Sequence, residues 1–334
     1  MRWLITGGCG FIGTAVVRDL TAAGGHVVRV LDNLSAGTRE DLHAACEYVE
    51  HGRSGLRWSD PGSRSAVELV VGDILDEGLV RGTAQDAEVV LHLAANSGVA
   101  PSVADPRADC AVNVIGTLNV LEAARHGGAR RFVFASSGAP IGECEPPIHE
   151  ESVPHPVSPY GASKLAGEAY CSAYFRTFGL ETVALRFGNV YGPGSRHKSS
   201  VVARFIRQAM VGETLEIYGD GLQTRDFLYL DDLVRAVRRA AEVAGIGGEV
   251  FQIATSTEST VAELVRVLRP ALRESGIAEP TVRHGEARQG DVRRNYSDTS
   301  KARRVLDWQA QVSLREGLEL TVAWFVAGGR GERG

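Results

Sequence analysis

Residues 2–23, RWLITGGCGFIGTAVVRDLTAA, decide the fold. Arg2–Thr6 is a short apolar run of strand character, and an apolar-periodic helix is predicted from Thr14 to about Ala23. Between them, Gly7, Gly10 and Gly13 form a GxxGxxG turn. Glycines there permit a tight turn and close backbone approach, and the helix N-terminus attracts a pyrophosphate. Val27–Leu31 is the next predicted strand, closed by Asp32, 19 residues after Gly13. An acid at that spacing bonds adenosine ribose hydroxyls and repels a 2′-phosphate, which selects NAD over NADP. Asn33 follows, with no arginine to receive such a phosphate.

Further strands are predicted at Val67–Ile74, Glu88–Ala95, Arg131–Ala135 and Glu181–Phe187, with helical stretches between them. Asp73 and Ile74 end one strand where an adenine ring lies in a doubly wound sheet. The small residues ending the next let a cofactor lie against the backbone. His92 in that strand reads as a packed core histidine. A long helix is predicted from about Asp105 to His126, carrying Asn113, whereas residues 35–66 read as a short helix near Thr38–Cys46 and then a surface loop. The alternation predicts an α/β fold, a Rossmann-type doubly wound parallel sheet. After about residue 185 the pattern changes to loops, short strands and amphipathic helices. The expected organisation is an NAD-binding domain over 1–185 and a smaller mixed α/β substrate domain over 186–327, some of whose segments return to the first. A flexible tail is expected over 328–334.

The 334 residues, 44% apolar and 23% charged, suit two soluble domains. A net charge of −5 argues against nucleic-acid binding. No apolar run approaches the roughly 20 residues of a membrane span. A strand begins at once, so no signal peptide is expected. The five cysteines are scattered, odd in number and without a CxxC pair, which fits a reducing cytoplasm. The nine histidines show no ligand spacing, so no metal site is expected.

The chemistry is concentrated in Ser158-Pro159-Tyr160-Gly161-Ala162-Ser163-Lys164, read with Ser137 at the carboxyl end of the fifth predicted strand. Ser158 suits a helix cap and Pro159 the first helical position. Tyr160 and Lys164, four apart, then share one helix face. An ammonium near a phenol favours the phenolate. Use of a phenol as base near neutrality needs its pKa of about 10 to drop by roughly 3 units, or roughly 4 kcal/mol. One lysine supplies part of this, and a second positive charge would help. A surface Tyr–Lys pair without chemistry is the alternative for these residues alone.

As a set, TGGCGFIG, DNLSAG, HLAA, NVIGTLNVLEAAR, FASSGAP, SPYGASK, RFGNVYGPG, GDGLQTRDFLYLDDL and RQGD resemble the extended short-chain dehydrogenase/reductase family, specifically its nucleotide-sugar epimerases of the UDP-glucose 4-epimerase type. The resemblance implies that Gly7, Gly10, Phe11, Ile12 and Gly13 hold the NAD pyrophosphate. It places Asp32, Asn33, Ser35 and Gly37 at the ribose and Asp73 and Ile74 at the adenine. Leu93, Ala94, Ala95, Asn113 and Phe187 are expected along the cofactor path. Lys164 would bond the nicotinamide ribose, and Tyr160 and Ser137 would act at the sugar 4-hydroxyl. Asn189, Arg225 and Arg288 match positions gripping a nucleotide diphosphate, Asp291 one at the nucleotide ribose, and Asn295 a gate residue four positions on. Two arginines on separate loops can fork a diphosphate.

Relatives that dehydrate the sugar carry Asp-Glu directly after the equivalent of Ser137, and UDP-glucuronate decarboxylases a glutamate two places on. Here Gly138 and Ala139 stand there, so 4-epimerisation through a 4-keto sugar is expected. UDP-glucuronate as substrate, its decarboxylation, net dehydrogenation or reduction of a sugar nucleotide, and a non-catalytic NAD-binding regulator are the alternatives. Ile141 takes the place of a usual tyrosine before Gly142, which makes this loop atypical. The resemblance also implies a homodimer through the helices at about Asn113–His126 and Tyr160–Phe178.

Overall fold

The computed structural model describes residues 1–53, 55–59, 66–287 and 293–331. The chain divides into two compact units. The first comprises Met1–Glu143, Glu150–Arg186 and Val234–Phe251, and the second Cys144–His149, Phe187–Leu233 and Gln252–Gly334.

In the first unit the chain runs β1 (Arg2–Thr6), α1 (Phe11–Ala23), β2 (Val27–Asp32), α2 (Arg39–Ala45), β3 (Val49–His51), β4 (Val67–Val71), α3 (Glu77–Ala84) and β5 (Val89–His92). It continues with α4 (Val99–Ala104), α5 (Pro106–Cys110), a π-helical turn (Ala111–Gly116), α6 (Thr117–His126), β6 (Arg131–Ser137), α7 (Pro159–Phe178) and β7 (Glu181–Phe187). The sheet order is β3-β4-β2-β1-β5-β6-β7, followed by an edge strand Glu249–Ile253. The pairings from β3 through β6 are all parallel. Runs such as Val27–Leu31 are buried along their whole length, as a sheet covered on both faces requires. Helices α3, α6 and α7 close one such face over Leu4, Leu31, Val90, Phe132 and Phe134.

Two strands of this sheet escape the sequence pattern, the edge strand Glu249–Ile253 and Val49–His51. Val49–His51 is three residues at the sheet edge, inside the stretch read as a surface loop. Leu56 and Trp58 from that stretch also pack on the core. The reason is a charged pair inside the sheet. Arg29 and Glu68 are register partners on β2 and β4, with Nε 2.7 Å from Oε2 and side chains 1% and 0% exposed. Trp58 covers the guanidinium at 4.0 Å, and the Ser59 N–H and O–H each donate to Glu68 Oε1 at 2.7 Å. A buried ion pair leans on hydrogen bonds to its remaining polar atoms. Glu68 has those from Ser59, and one terminal nitrogen of Arg29 donates to the Thr83 carbonyl at 3.2 Å, while the other has no hydrogen-bond partner among the described residues. The predicted long helix 105–126 is interrupted by the π-helical turn.

The second unit has its own core, including Tyr191, Phe205, Phe227, Leu264, Leu268 and Phe325. Asn189–Tyr191 pairs in parallel with Phe227–Tyr229, and Thr224–Arg225 pairs antiparallel with Ser259–Thr260. The closing helix spans Leu314–Gly331, into the stretch expected as a tail, and 332–334 lie outside the described residues. No helix among the described residues is long and apolar enough to cross a membrane, and no cluster of metal-ligating side chains occurs among them.

Candidate active site

The glycine turn is shaped by contact, not by flexibility alone. Gly7 has φ +73°, and a Cβ there would lie 2.7 Å from the Ala94 amide nitrogen. A Cβ on Gly13 would lie 2.4 Å from the Gly7 carbonyl oxygen. Gly10 caps α1 without a side-chain bond, and the first turn of α1 carries no acid, so its positive end suits an anion. Asp32 is buried at the end of β2, where its carboxylate accepts the Cys9 N–H at 2.9 Å and the Leu34 N–H at 2.8 Å. Gly37 packs so closely on the turn that a Cβ would lie 2.1 Å from the Cys9 carbonyl oxygen. Asn33 Nδ2 donates to Asp73 Oδ2 at 2.8 Å, and the Ser35 N–H donates to Asn33 Oδ1 at 3.0 Å. Ile74 lies against Gly116, where any Cβ would fall 2.5 Å from its Cδ1. Leu93 and Ala94 bond back to Thr6, and Ala95 continues the same partly exposed stretch. This cradle, with Asp32 at the end of β2 and Asn33 rather than an arginine after it, fits NAD. Phe187 closes β7 and is partly exposed.

Helix α7 begins as its sequence dictates. Ser158 Oγ accepts the Gly161 N–H at 3.1 Å, and Pro159 occupies the first position. Tyr160 and Lys164 then fall one turn apart, with Lys164 Nζ 6.0 Å from the tyrosine ring centroid. Nζ donates to the Ala135 carbonyl at 2.8 Å and lies 4.9 Å from the Phe134 ring. Ser137, at the end of β6, hydrogen-bonds Tyr160 and accepts the Ala139 N–H at 3.2 Å. Burial pushes the Tyr160 phenol up, and the Asp109 charge pushes it further, while the Ser137 hydroxyl works the other way. Burial pulls Lys164 down to about 8, against the charge of Asp109. The expected help from Lys164 is thus set against desolvation of both groups.

Behind this pair lies a network with no motif of its own. Arg186 Nε and its second terminal nitrogen bond both Glu168 oxygens at 2.8 and 2.7 Å, and Ser136 Oγ donates to Glu168 Oε1 at 2.5 Å. The two charged side chains are 4% and 5% exposed, and breaking such a pair from one side costs about 3–5 kcal/mol. Glu168 was legible only as the residue one turn beyond Lys164. Asn113, on the π-helical turn, accepts the Asn96 N–H at 2.8 Å, and its two amide N–H groups are shared among three acceptors, Asp109 Oδ1, the Asn96 carbonyl and Ser163 Oγ, at 2.9, 3.0 and 3.1 Å. His92 is a core histidine, held between Thr6 Oγ at 2.7 Å and Thr117 Oγ at 2.9 Å and pulled down to about 3 by burial. Ile141 is fully buried, so the atypical loop directs this side chain into protein.

In the second unit the structure gathers Asn189, Arg225 and Asn295 around residues 224–226. The Asn189 N–H donates to the Asp226 carbonyl at 2.8 Å, Arg225 pairs with Ser259, and the Asn295 N–H donates to Thr224 Oγ at 3.1 Å. Arg293 clamps Asp220, and Arg294 bonds Glu258 and Glu145, which pins the chain just before Asn295. Arg288 and Asp291 lie outside the described residues.

Residues 3–254 match the model of the NAD dependent epimerase/dehydratase family. A UDP-glucose 4-epimerase of Mycolicibacterium smegmatis is 39% identical over 330 residues, covering 97% of this chain and 98% of the relative. The solved UDP-glucose 4-epimerase of Thermotoga maritima, with UDP-glucose, superposes with a TM-score of 0.86 at 37% identity, covering 98% of this chain and 99% of that one. MoeE5, solved with UDP-glucuronic acid and NAD, gives 0.83 at 33% identity, covering 98% and 100%.

Proposed function

The chain belongs to the NAD-dependent epimerase/dehydratase family, and from that premise we propose that it is a nucleotide-sugar 4-epimerase, acting on UDP-glucose and UDP-galactose or their N-acetyl forms. Its cofactor is NAD, which when bound supplies a reversible hydride acceptor and a positive ring beside the phenol. Tyr160 takes the proton of the sugar 4-hydroxyl and later returns it. Ser137 holds that hydroxyl, and Lys164 keeps a positive charge beneath the tyrosine.

One observation carries this reading: Ser137 bonds Tyr160, and the two residues after Ser137 are Gly138 and Ala139. Neither residue brings the acid that elimination or decarboxylation needs, and a Cβ on Gly138 would meet nothing within 4 Å among the described residues. Tyr160 is then the proton carrier, and hydride leaves and returns at the same carbon. In the second unit, Asn189, Arg225 and Arg288 are assigned to the diphosphate and Asp291 to the nucleotide ribose. Incubation with UDP-glucose, UDP-GlcNAc, UDP-glucuronate and dTDP-glucose, followed by NMR of the products, tests the reading. A C4 epimer is expected, whereas accumulating NADH or a 6-deoxy-4-keto sugar would defeat it.

Asn295 is assigned as the gate for the C2 substituent, because its side chain is smaller than tyrosine. Asn295→Tyr is expected to suppress UDP-GlcNAc turnover and spare UDP-glucose; equal loss of both would remove that role. We further infer a cytoplasmic homodimer. All five cysteines are free thiols, and Ile115, Tyr170 and Phe178, on the π-helical turn and α7, are 49%, 36% and 50% exposed. Sedimentation is expected to show a dimer, and a monomer at micromolar concentration would contradict it.

A further inference from the structure

Asp226 is 1% exposed and stands between two short strands with different partners. Before it, Thr224–Arg225 pairs antiparallel with Ser259–Thr260. After it, Phe227–Tyr229 pairs in parallel with Asn189–Tyr191. Asp226 belongs to neither strand, so the chain changes neighbours at this residue, directly after Arg225.

The carboxylate anchors that step. Its Oδ1 accepts the Thr255 N–H and the Thr255 O–H, each at 2.7 Å, and its Oδ2 accepts the Ser297 N–H at a longer 3.4 Å. Backbone N–H groups can only donate, so these contacts suit the ionised acid. Burial pushes the Asp226 carboxyl up, and the bonds from Thr255 and Ser297 work the other way. The Asp226 carbonyl also accepts the Asn189 N–H at 2.8 Å, and a Cβ on Gly188 would lie 3.1 Å from that oxygen. Arg225 is partly exposed where Asp226 is buried, as neighbours in extended chain alternate. The anchor therefore lies on the interior side of the segment that carries Arg225.

We propose that Asp226 is a positioning residue for the nucleotide diphosphate: its carboxylate fixes Arg225, in register with Asn189, where the chain passes from one strand partner to the next. The inference rests on the diphosphate role assigned above to Arg225 and Asn189. A carboxylate that served stability alone would loosen the second unit as a whole. A positioning carboxylate weakens the diphosphate contact through Arg225 and leaves the cofactor, held by the first unit, untouched.

The test is calorimetric titration of UDP into NAD-loaded protein. Asp226→Asn keeps an acceptor for Thr255 and turns the other oxygen into an N–H donor facing the Ser297 N–H. It is expected to weaken UDP binding about 10-fold, the worth of one hydrogen bond to a charged group. Arg225→Ala should weaken it about 10- to 100-fold. NAD affinity is expected to match the wild type in both. In the double variant the losses should not add, because Asp226 acts through the arginine that has been removed. Thr255→Val deletes only the hydroxyl donor and should shift UDP affinity in the same direction if the asparagine variant does not fold. Wild-type UDP affinity in whichever of these two variants folds, or losses that sum in the double variant, would overturn the proposal and leave Arg225 in its role. Unchanged UDP affinity in Arg225→Ala would instead defeat the diphosphate assignment itself, and the proposal with it.

Discussion

Replacing Tyr160 with phenylalanine is expected to lower kcat by about 10²- to 10⁴-fold, the range lost when a positioned acid–base group is removed. NAD affinity and the fold should be retained, because the ring that packs at the start of α7 is kept and only the hydroxyl goes. The hydroxyl bonded to Ser137 is the group assigned to the substrate proton. Burial and Asp109 hold that phenol above its ordinary value, so the base form is scarce at low pH. Wild-type kcat should therefore fall as pH drops through the tyrosine's titration, and residual Tyr160→Phe turnover should lose that acid limb. Product formation by NMR over a pH series checks both points, and wild-type kcat in the variant would remove Tyr160 from the role.

Gly13→Ala should act on the cofactor instead. The new Cβ would lie 2.4 Å from the Gly7 carbonyl oxygen and 2.5 Å from Gly8 Cα, both backbone atoms. The turn must open, and overpacking of this kind costs about 1–3 kcal/mol. If that strain falls on the bound turn, NAD affinity drops roughly 10- to 100-fold. Calorimetric titration with NAD reads it directly, beside a circular dichroism spectrum expected to match the wild type. Unchanged affinity would mean that the glycine turn does not shape the dinucleotide site.

The parts of the fold that the sequence disclosed are those where local pattern and burial agree. Val27–Leu31, Val67–Val71 and Arg131–Ala135 are apolar runs in strands buried on both faces, and the glycine turn and Asp32 follow at the spacing a dinucleotide cradle needs. Ser158, Pro159, Tyr160 and Lys164 were readable because capping and helical spacing are local rules. The remainder depends on distant partners. Val49–His51 is too short and polar to signal a strand, and it pairs only because β4 offers an edge. Arg29 makes sense in β2 only once Glu68 lies opposite it and Trp58 above. Glu168 looks like an ordinary helix carboxylate until the fold brings Arg186 and Ser136 to it. The strand Glu249–Ile253 joins the sheet far from its neighbours in sequence.

The central claim is that hydride leaves C4 and comes back to C4, with Tyr160 as the proton carrier. UDP-glucose deuterated at C4, incubated with the NAD-loaded enzyme in ordinary water and followed by NMR, tests it most directly. The account predicts the C4 epimer with deuterium still on C4, hydrogen at C5 and C6 unexchanged, and no accumulation of NADH. Loss of deuterium from C4, its appearance at C6, or a 4-keto product that persists would contradict it.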